Sequence, residues 1–489
     1  MEFTKKTTLA ATLIIGTFSF GTCAADLLKA NTLFKQQQYT QAAAEYKQGA
    51  KLGSAHSYYQ LGLMYAKGLG VQQDQLNALI YLNLAAQQNY HDAANLLNKM
   101  TDKLPAAQLE LVQQALQASV EQQAQATSIY LPQINHANLN KKFTFEGEAE
   151  LEKKVYLDDL QDELDLGLGQ DFSDSFESDG DEFSDSSDIP LITVKTPFLI
   201  LEHEVAPDGS IRYITEIQKL GSVNRYTEAY KLFPLPKPTF DGKPAEFIHR
   251  GYIGAAIYDK FDLSDERSSL YREVRNIARK GKDSQDLTEQ YQFAMAMLNF
   301  PWLEESPGQA EKLLLKLAKQ GHPLAMYEYG LKLYREQKNI PQAIRWIAEA
   351  SKYGLARAEY RLARFIQTSP WLVNDEEKAL FWYESAMEKE HKAATIRAAE
   401  IKLLANNESL RNVDTGIKYL EMVADTQTSN PEYFYLLALS YKDREARDFK
   451  KVVENLEKAI RMADRANWDV SEWEDLLSEL TTGRVLIVE

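Results

Sequence analysis

The sequence predicts a mainly α-helical chain in which two arrays of stacked helix pairs flank a small α+β module. Three observations carry this. A pattern of small residue, aromatic and small residue at i, i+3 and i+7 returns every 33–37 residues on both sides of a central stretch, and periods of that size signify helix pairs stacked into a solenoid. Between residues 197 and 258 the period changes, and the chain reads as two strands, a helix and another strand. The composition, 44% hydrophobic over 489 residues, allows sizeable cores and about three domains.

In chain order, residues 1–25 read as a secretory signal. Lys5 and Lys6 precede the apolar run LAATLIIGTFSFG, and Thr22, Ala24 and Ala25 are small enough for cleavage after Ala24 or Ala25. The apolar run is short for a spanning helix, so no transmembrane span is expected after cleavage and the expected location is the periplasm. Membrane anchoring through an uncleaved signal or a lipidated Cys23 is the alternative, although Phe20-Gly21-Thr22 is a poor lead-in for acylation. Cys23 is the only cysteine. A cleaved chain therefore has no thiol, which fits an oxidising compartment and excludes disulfides and thiolate metal sites.

Residues 26–116 form the first array. The pattern appears as Ala43-Tyr46-Ala50 and Ala78-Tyr81-Ala85. Positions i, i+3 and i+7 share one helix face, where small residues admit the neighbouring helix and the aromatic fills the groove between repeats. From Tyr59 to Asp74 the string holds L-G-x-M-Y-x-x-G-x-G-V-x-x-D. Gly68 and Gly70 can end a helix in the left-handed conformation, and Asp74 is placed to cap the next one. This string resembles the Sel1 repeat, a relative of the tetratricopeptide repeat, and the resemblance implies stacked helix pairs.

Residues 117–189 read as a connector. Gln, Ala and Asn dominate up to Lys142, and Phe143–Tyr156 reads as an extended lead-in to the sheet. Asp158 to Asp188 holds thirteen acidic residues and no Lys or Arg, which predicts a solvated, disordered spacer. Asp179, Asp181 and Asp185 offer hard oxygen ligands for calcium, but the spacing and closing Glu of an EF-hand are missing. With a net charge of −16, a nucleic-acid partner is excluded on electrostatic grounds.

Residues 190–262 are the α+β module. The runs FLILEHEV and SIRYITEI meet across Ala206-Pro207-Asp208-Gly209, a hairpin signal. VNRYTEAYKLF has helical spacing, with Val223, Tyr226, Tyr230 and Phe233 on one face, and prolines 234, 236 and 238 stop it. After the Asp241-Gly242 turn, PAEFIHRGYIGAAIY reads as the outer strand of the sheet. V-x-P-D-G-x-I, a helix ending in F-P-x-P, and D-G-K-P before a long strand together resemble the C-terminal domain of TonB energy transducers, over roughly 65 residues. The resemblance implies that the last strand pairs with an extended segment of an outer-membrane protein, with Glu246, Phe247, Ile248, His249, Arg250 and Tyr252 as the partner-binding residues. The sequence also departs from those transducers: residues 7–25 contain no histidine, and an acidic stretch replaces their proline-rich spacer.

Residues 263–489 form the second array. A helix from near Ser264 to Gly281 enters it, and the pattern returns at Ala310, Ala343, Ala379, Gly416 and Val453. Later copies lose the G-x-G-V turn, so the array reads as Sel1-like or tetratricopeptide-like. A closing helix with Trp468 and Trp473 is expected to cap its open end.

No phosphate loop, G-x-S-x-G or H-E-x-x-H occurs. His91, His322 and His391 each follow the second helix of a repeat, and strand alternation sets His203 on the opposite face from Glu202 and Glu204, which spoils a metal site. No catalytic residue, cofactor or metal is expected. The leading expectation is a periplasmic protein–protein interaction adaptor of the cell envelope with a free strand edge. The alternatives are a scaffold that contacts peptidoglycan and, behind it, an unrecognised hydrolase using scattered carboxylates.

Overall fold

The computed structural model describes residues 25–151, 154–155, 197–233 and 235–482. Residues 1–24 with Cys23, the whole acidic stretch Asp158–Asp188 with the calcium candidates Asp179, Asp181 and Asp185, and the apolar tail Val485–Val488 lie outside the described residues.

The first array holds α1 (Leu27–Lys35), α2 (Tyr39–Lys51), α3 (Ala55–Lys67), α4 (Gln75–Gln87), α5 (Ala93–Thr101) and α6 (Ala106–Thr127). Its ends follow the capping chemistry. The Ser54 side chain accepts from Ser57 N, and that of Asp74 accepts from Asn77 N, satisfying amides the helices leave open. Gly68 closes α3 at φ +70°. Helix α6 runs on to Thr127, and the irregular part of the connector follows it.

The lead-in supplies β1 (Phe143–Phe145) and β2 (Lys154–Val155). The module follows as β3 (Phe198–Val205), β4 (Ile211–Leu220), α7 (Asn224–Leu232), β5 (Pro238–Phe240), β6 (Lys243–Pro244) and β7 (Phe247–Gly254). One sheet has the order β2-β7-β3-β4, with β3 antiparallel to both β4 and β7. A second, small sheet joins β1, β5 and β6. Two glycines are required here. Gly209 turns the β3–β4 hairpin at φ +86°, where a Cβ would meet Leu235 O at 2.3 Å, and a Cβ on Gly251 would meet the Tyr230 hydroxyl at 2.7 Å. The last strand is shorter than expected: it stops at Gly254 (φ +64°), and Ala255–Ile257 form a 3₁₀ turn.

The second array begins with α8 (Lys260–Glu266) and α9 (Ser268–Lys282). These replace the single helix expected from Ser264 to Gly281, because the backbone breaks at Arg267. It continues with α10 (Leu287–Asn299), α11 (Gln309–Lys319), α12 (Pro323–Arg335), α13 (Ile340–Lys352), α14 (Ala356–Thr368), α15 (Glu376–Glu388), α16 (Lys392–Leu404), α17 (Val413–Val423), α18 (Pro431–Asp443), α19 (Phe449–Arg465) and α20 (Ser471–Thr482). Trp473 lies on the closing helix α20. Trp468 does not; it sits in the preceding turn, where the Arg212 guanidinium of β4 lies 3.3 Å from its ring centre.

The two arrays touch directly. Leu27 N donates to Tyr353 O at 3.1 Å, the hydroxyls of Tyr90 and Tyr353 lie 3.1 Å apart, and His56 stacks on Tyr353. One apolar core passes through Tyr46 and Leu61 of the first array, Leu201 and Tyr230 of the module, and Tyr334 and Trp382 of the second array.

Candidate functional site

Two features bring chemistry together: the face of the second array that holds β3, and a cavity beside β7. At the first, strand alternation divides β3. His203 turns toward α7, edge-on to Tyr230 at 5.2 Å and to His249 at 5.3 Å. Glu202 and Glu204 turn the other way, onto the first helices of successive repeats. Glu202 accepts from Tyr327 OH at 3.3 Å and from Arg335 Nη1 at 3.1 Å. Glu204 accepts from Tyr360 OH at 2.8 Å and Arg361 Nη1 at 2.9 Å.

The repeats supply these partners at equivalent positions. Glu328, Arg361 and Arg397 are each the sixth residue of α12, α14 and α16. Arg250 of β7 donates to Glu328 at 2.7 Å, and Arg397 donates to Glu432 at 2.7 Å. Arg364 forks onto Glu246, just ahead of β7, with Nε to Oε1 at 2.9 Å. Glu202, Glu204, Glu328, Arg250 and Arg361 are all at most 3% exposed. Burial by itself would raise the Glu204 and Glu328 carboxyls. The neighbouring guanidiniums outweigh it, Arg361, Arg364 and Arg397 at Glu204 and Arg250, Arg357 and Arg335 at Glu328, and hold both below the usual carboxylate range. Such pairs add little net stability over an apolar packing, but losing one partner strands a buried charge. This face fixes the module in place.

The residues expected to bind a partner therefore fall into different surroundings. Glu246 and Arg250 belong to the ion network, and Ile248 and His249 are buried. Phe247 packs among Phe143 and Phe145 at ring distances of 5.0 Å. Tyr252 is half-buried and lines the cavity. Nor is β7 the outermost strand: β2 pairs with it in parallel, Lys154 opposite Tyr252 and Val155 opposite Ile253. The expected free edge is thus already met by the chain's own backbone at its C-terminal end.

The cavity encloses about 800 Å³. Its walls come from β1 and Ala149–Leu151 after it, from β7 and Tyr258, from Leu298–Trp302 at the end of α10 and just beyond, and from Lys332, Arg335, Glu336 and Gln337 at the end of α12. Sequence reasoning missed Asn299, the last residue of α10, and Trp302, in the short turn after it, where helical periodicity runs out. It also missed the arginines of α12, α14 and α16. A signal for those existed: Arg357, Arg361 and Arg364 at i, i+4 and i+7 put three cations on one helix face, where a repeat otherwise buries apolar residues.

Among the described residues, no cluster of three or more His, Cys, Asp or Glu is suited to hold a metal, and no helix is long and apolar enough to cross a membrane.

The Sel1 repeat family model matches residues 55–90, 292–322, 323–354 and 356–391. The chain thus carries Sel1 repeats in both arrays, and repeats of this kind generally mediate protein–protein interaction. No curated protein sequence matches the chain. Among solved structures, a Sel1 repeat protein from Oxalobacter formigenes is 18% identical, with 41% of this chain and 83% of that one covered and a TM-score of 0.33. A protective antigen present in uropathogenic Escherichia coli strains, displaying an SLR fold, is 15% identical over 93% of this chain and 83% of its own, also with a TM-score of 0.33.

Proposed function

We propose that this Sel1-repeat chain is a non-catalytic adaptor of the bacterial envelope, which holds a TonB C-terminal-like module against its second array and receives a protein partner beside that module. The module reading is supported by the order β4-β3-β7, in which the strand after the helix lies next to the first strand of the hairpin. The Asp208-Gly209 and Asp241-Gly242 turns flanking α7 support it further. Export rests on the signal-like segment 1–25.

The observation that carries the interaction reading is the combination of two repeat arrays with a strand, β7, whose outer side already accepts extended backbone. The test is photo-crosslinking in the intact envelope, with the reactive residue placed at Tyr252 and, in parallel, at the exposed Phe449 of α19. One discrete protein adduct at either position, in a chain recovered from the periplasmic fraction, is the expected result. Adducts at neither position, or a chain retained in the cytoplasm, contradict the reading.

A further inference from the structure

We infer that the cavity beside β7 is the partner site, and that its ligand is an extended, uncharged peptide segment inserting one large apolar side chain. This rests on the adaptor reading and narrows it. Four observations converge. The cavity, at about 800 Å³, lies within the range of ligand sites, and Phe145, Tyr252 and Trp302 stand in its wall. It is composite: the module alone supplies neither Trp302 nor Asn299.

The outer side of β7 takes extended chain in parallel register, as β2 shows at Tyr252 and Ile253. From Phe247 to His249, no strand among the described residues pairs with that side, and Ala149, Glu150 and Leu151, ahead of β2, stand in the same cavity wall. Backbone pairing there would orient a peptide along the cavity.

Charge then selects among peptides. The ionised groups deepest in the wall are already matched inside the chain: Arg335 with Glu202, Arg250 with Glu328, and Lys332 with Glu311 and Glu336. These pairs balance one another, so the deep wall holds no unmatched net charge that would repay the desolvation of an ionic side chain.

Polar groups in the wall remain unmatched. Asn299 Oδ1, Trp302 Nε1, and Nε and Nη1 of Arg250 have no hydrogen-bond partner, although Asn299 is 4% and Arg250 3% exposed. Buried polar atoms are seldom left so. They comprise donors and an acceptor, and a peptide amide offers the complement of both.

The experiment pans a displayed library of random twelve-residue peptides on the full-length chain and measures synthetic copies of enriched sequences by calorimetry. Expected are sequences with a large apolar residue and no net charge. Their affinity should fall at least tenfold in Asn299→Leu, which keeps the branched skeleton, and in Trp302→Phe, which removes the indole N–H and one ring, and stay unchanged in Phe449→Ala. Circular dichroism checks that each variant is folded. Enrichment of acidic or basic peptides, undiminished binding to both cavity variants, or no enrichment overturns the inference. So does binding of N-acetylglucosamine oligomers in the cavity in place of peptides. If crosslinks form at Phe449 while the cavity takes no peptide, this inference fails and the adaptor reading stands.

Discussion

His391 joins helix capping to acid sensitivity. Its Nδ1 accepts from Ala394 N at 3.2 Å, which only a ring with a free lone pair can do. Burial, helped by the Arg361 charge, lowers its pKa from the ordinary 6.5 to about 4. A base with a depressed folded pKa binds its proton more readily when unfolded, so its stabilising effect is fully present above pH 6.5 and is lost as pH falls toward 4. The full difference is on the order of 3 kcal/mol. Asparagine also caps helices well but does not titrate. Urea unfolding of His391→Asn between pH 7 and pH 4 is therefore expected to show a shallower fall in stability than the native chain; an unchanged slope would count against the buried, neutral ring. Glu204 gives a second prediction at this scale. Removing its charge in Glu204→Leu takes from Arg361 its close acceptor, leaving only Glu202 at 3.8 Å, while Arg364 keeps Glu246; the cost is about 3–5 kcal/mol. Adding Arg361→Leu is expected to recover part of that loss, so that unfolding of the single and double variants gives a coupling above about 1 kcal/mol; simple additivity would mean the two groups act independently.

At the scale of elements, the turn after α3 fixes how successive helix pairs meet. Gly70 has φ +66°, and a Cβ there would meet the Tyr39 backbone at the start of α2 at 2.3 Å. Gly70→Ala is expected to cost about 2 kcal/mol or more. Gly147→Ala, at φ +98° with nothing within 4 Å, should cost only about 1 kcal/mol. Thermal unfolding of the two variants separates steric clash from backbone strain alone, and equal losses would contradict the close approach. Helices and turns of this kind were legible in the sequence because their signals are local. Gly68, Asp74 and the i, i+3, i+7 aromatic face all act within about two turns of chain, and each stands where the pattern placed it. The misses have local causes too. Arg267 carries no Pro or Gly to mark the break between α8 and α9. Trp468 sits only three residues before α20, which is within the ordinary error of an end read from pattern.

At the scale of the whole molecule, the sequence hid what the second array holds. Glu202 meets Arg335 across 133 residues and Glu204 meets Arg361 across 157, and β2 reaches β7 across about a hundred; no periodicity reports pairings of that span. The cavity was hidden for the same reason, since its walls come from stretches on both sides of the module. One consequence concerns the module alone. Segment 197–262 without the second array would expose Glu202, Glu204 and Phe198, all at most 2% exposed in the full chain, and it is expected to show no cooperative thermal transition. The central claim, that the sheet and the array clasping it form one cooperative unit, is tested most directly by native-state hydrogen exchange of the full-length chain. Amides of Leu199–Glu204 and Ile248–Ile253 are predicted to open at the same free energy as those of α12 and α14, and to lose protection together with them in Glu204→Leu. Sheet amides that exchange at least a hundredfold faster than the helices, with no response to that substitution, would contradict it.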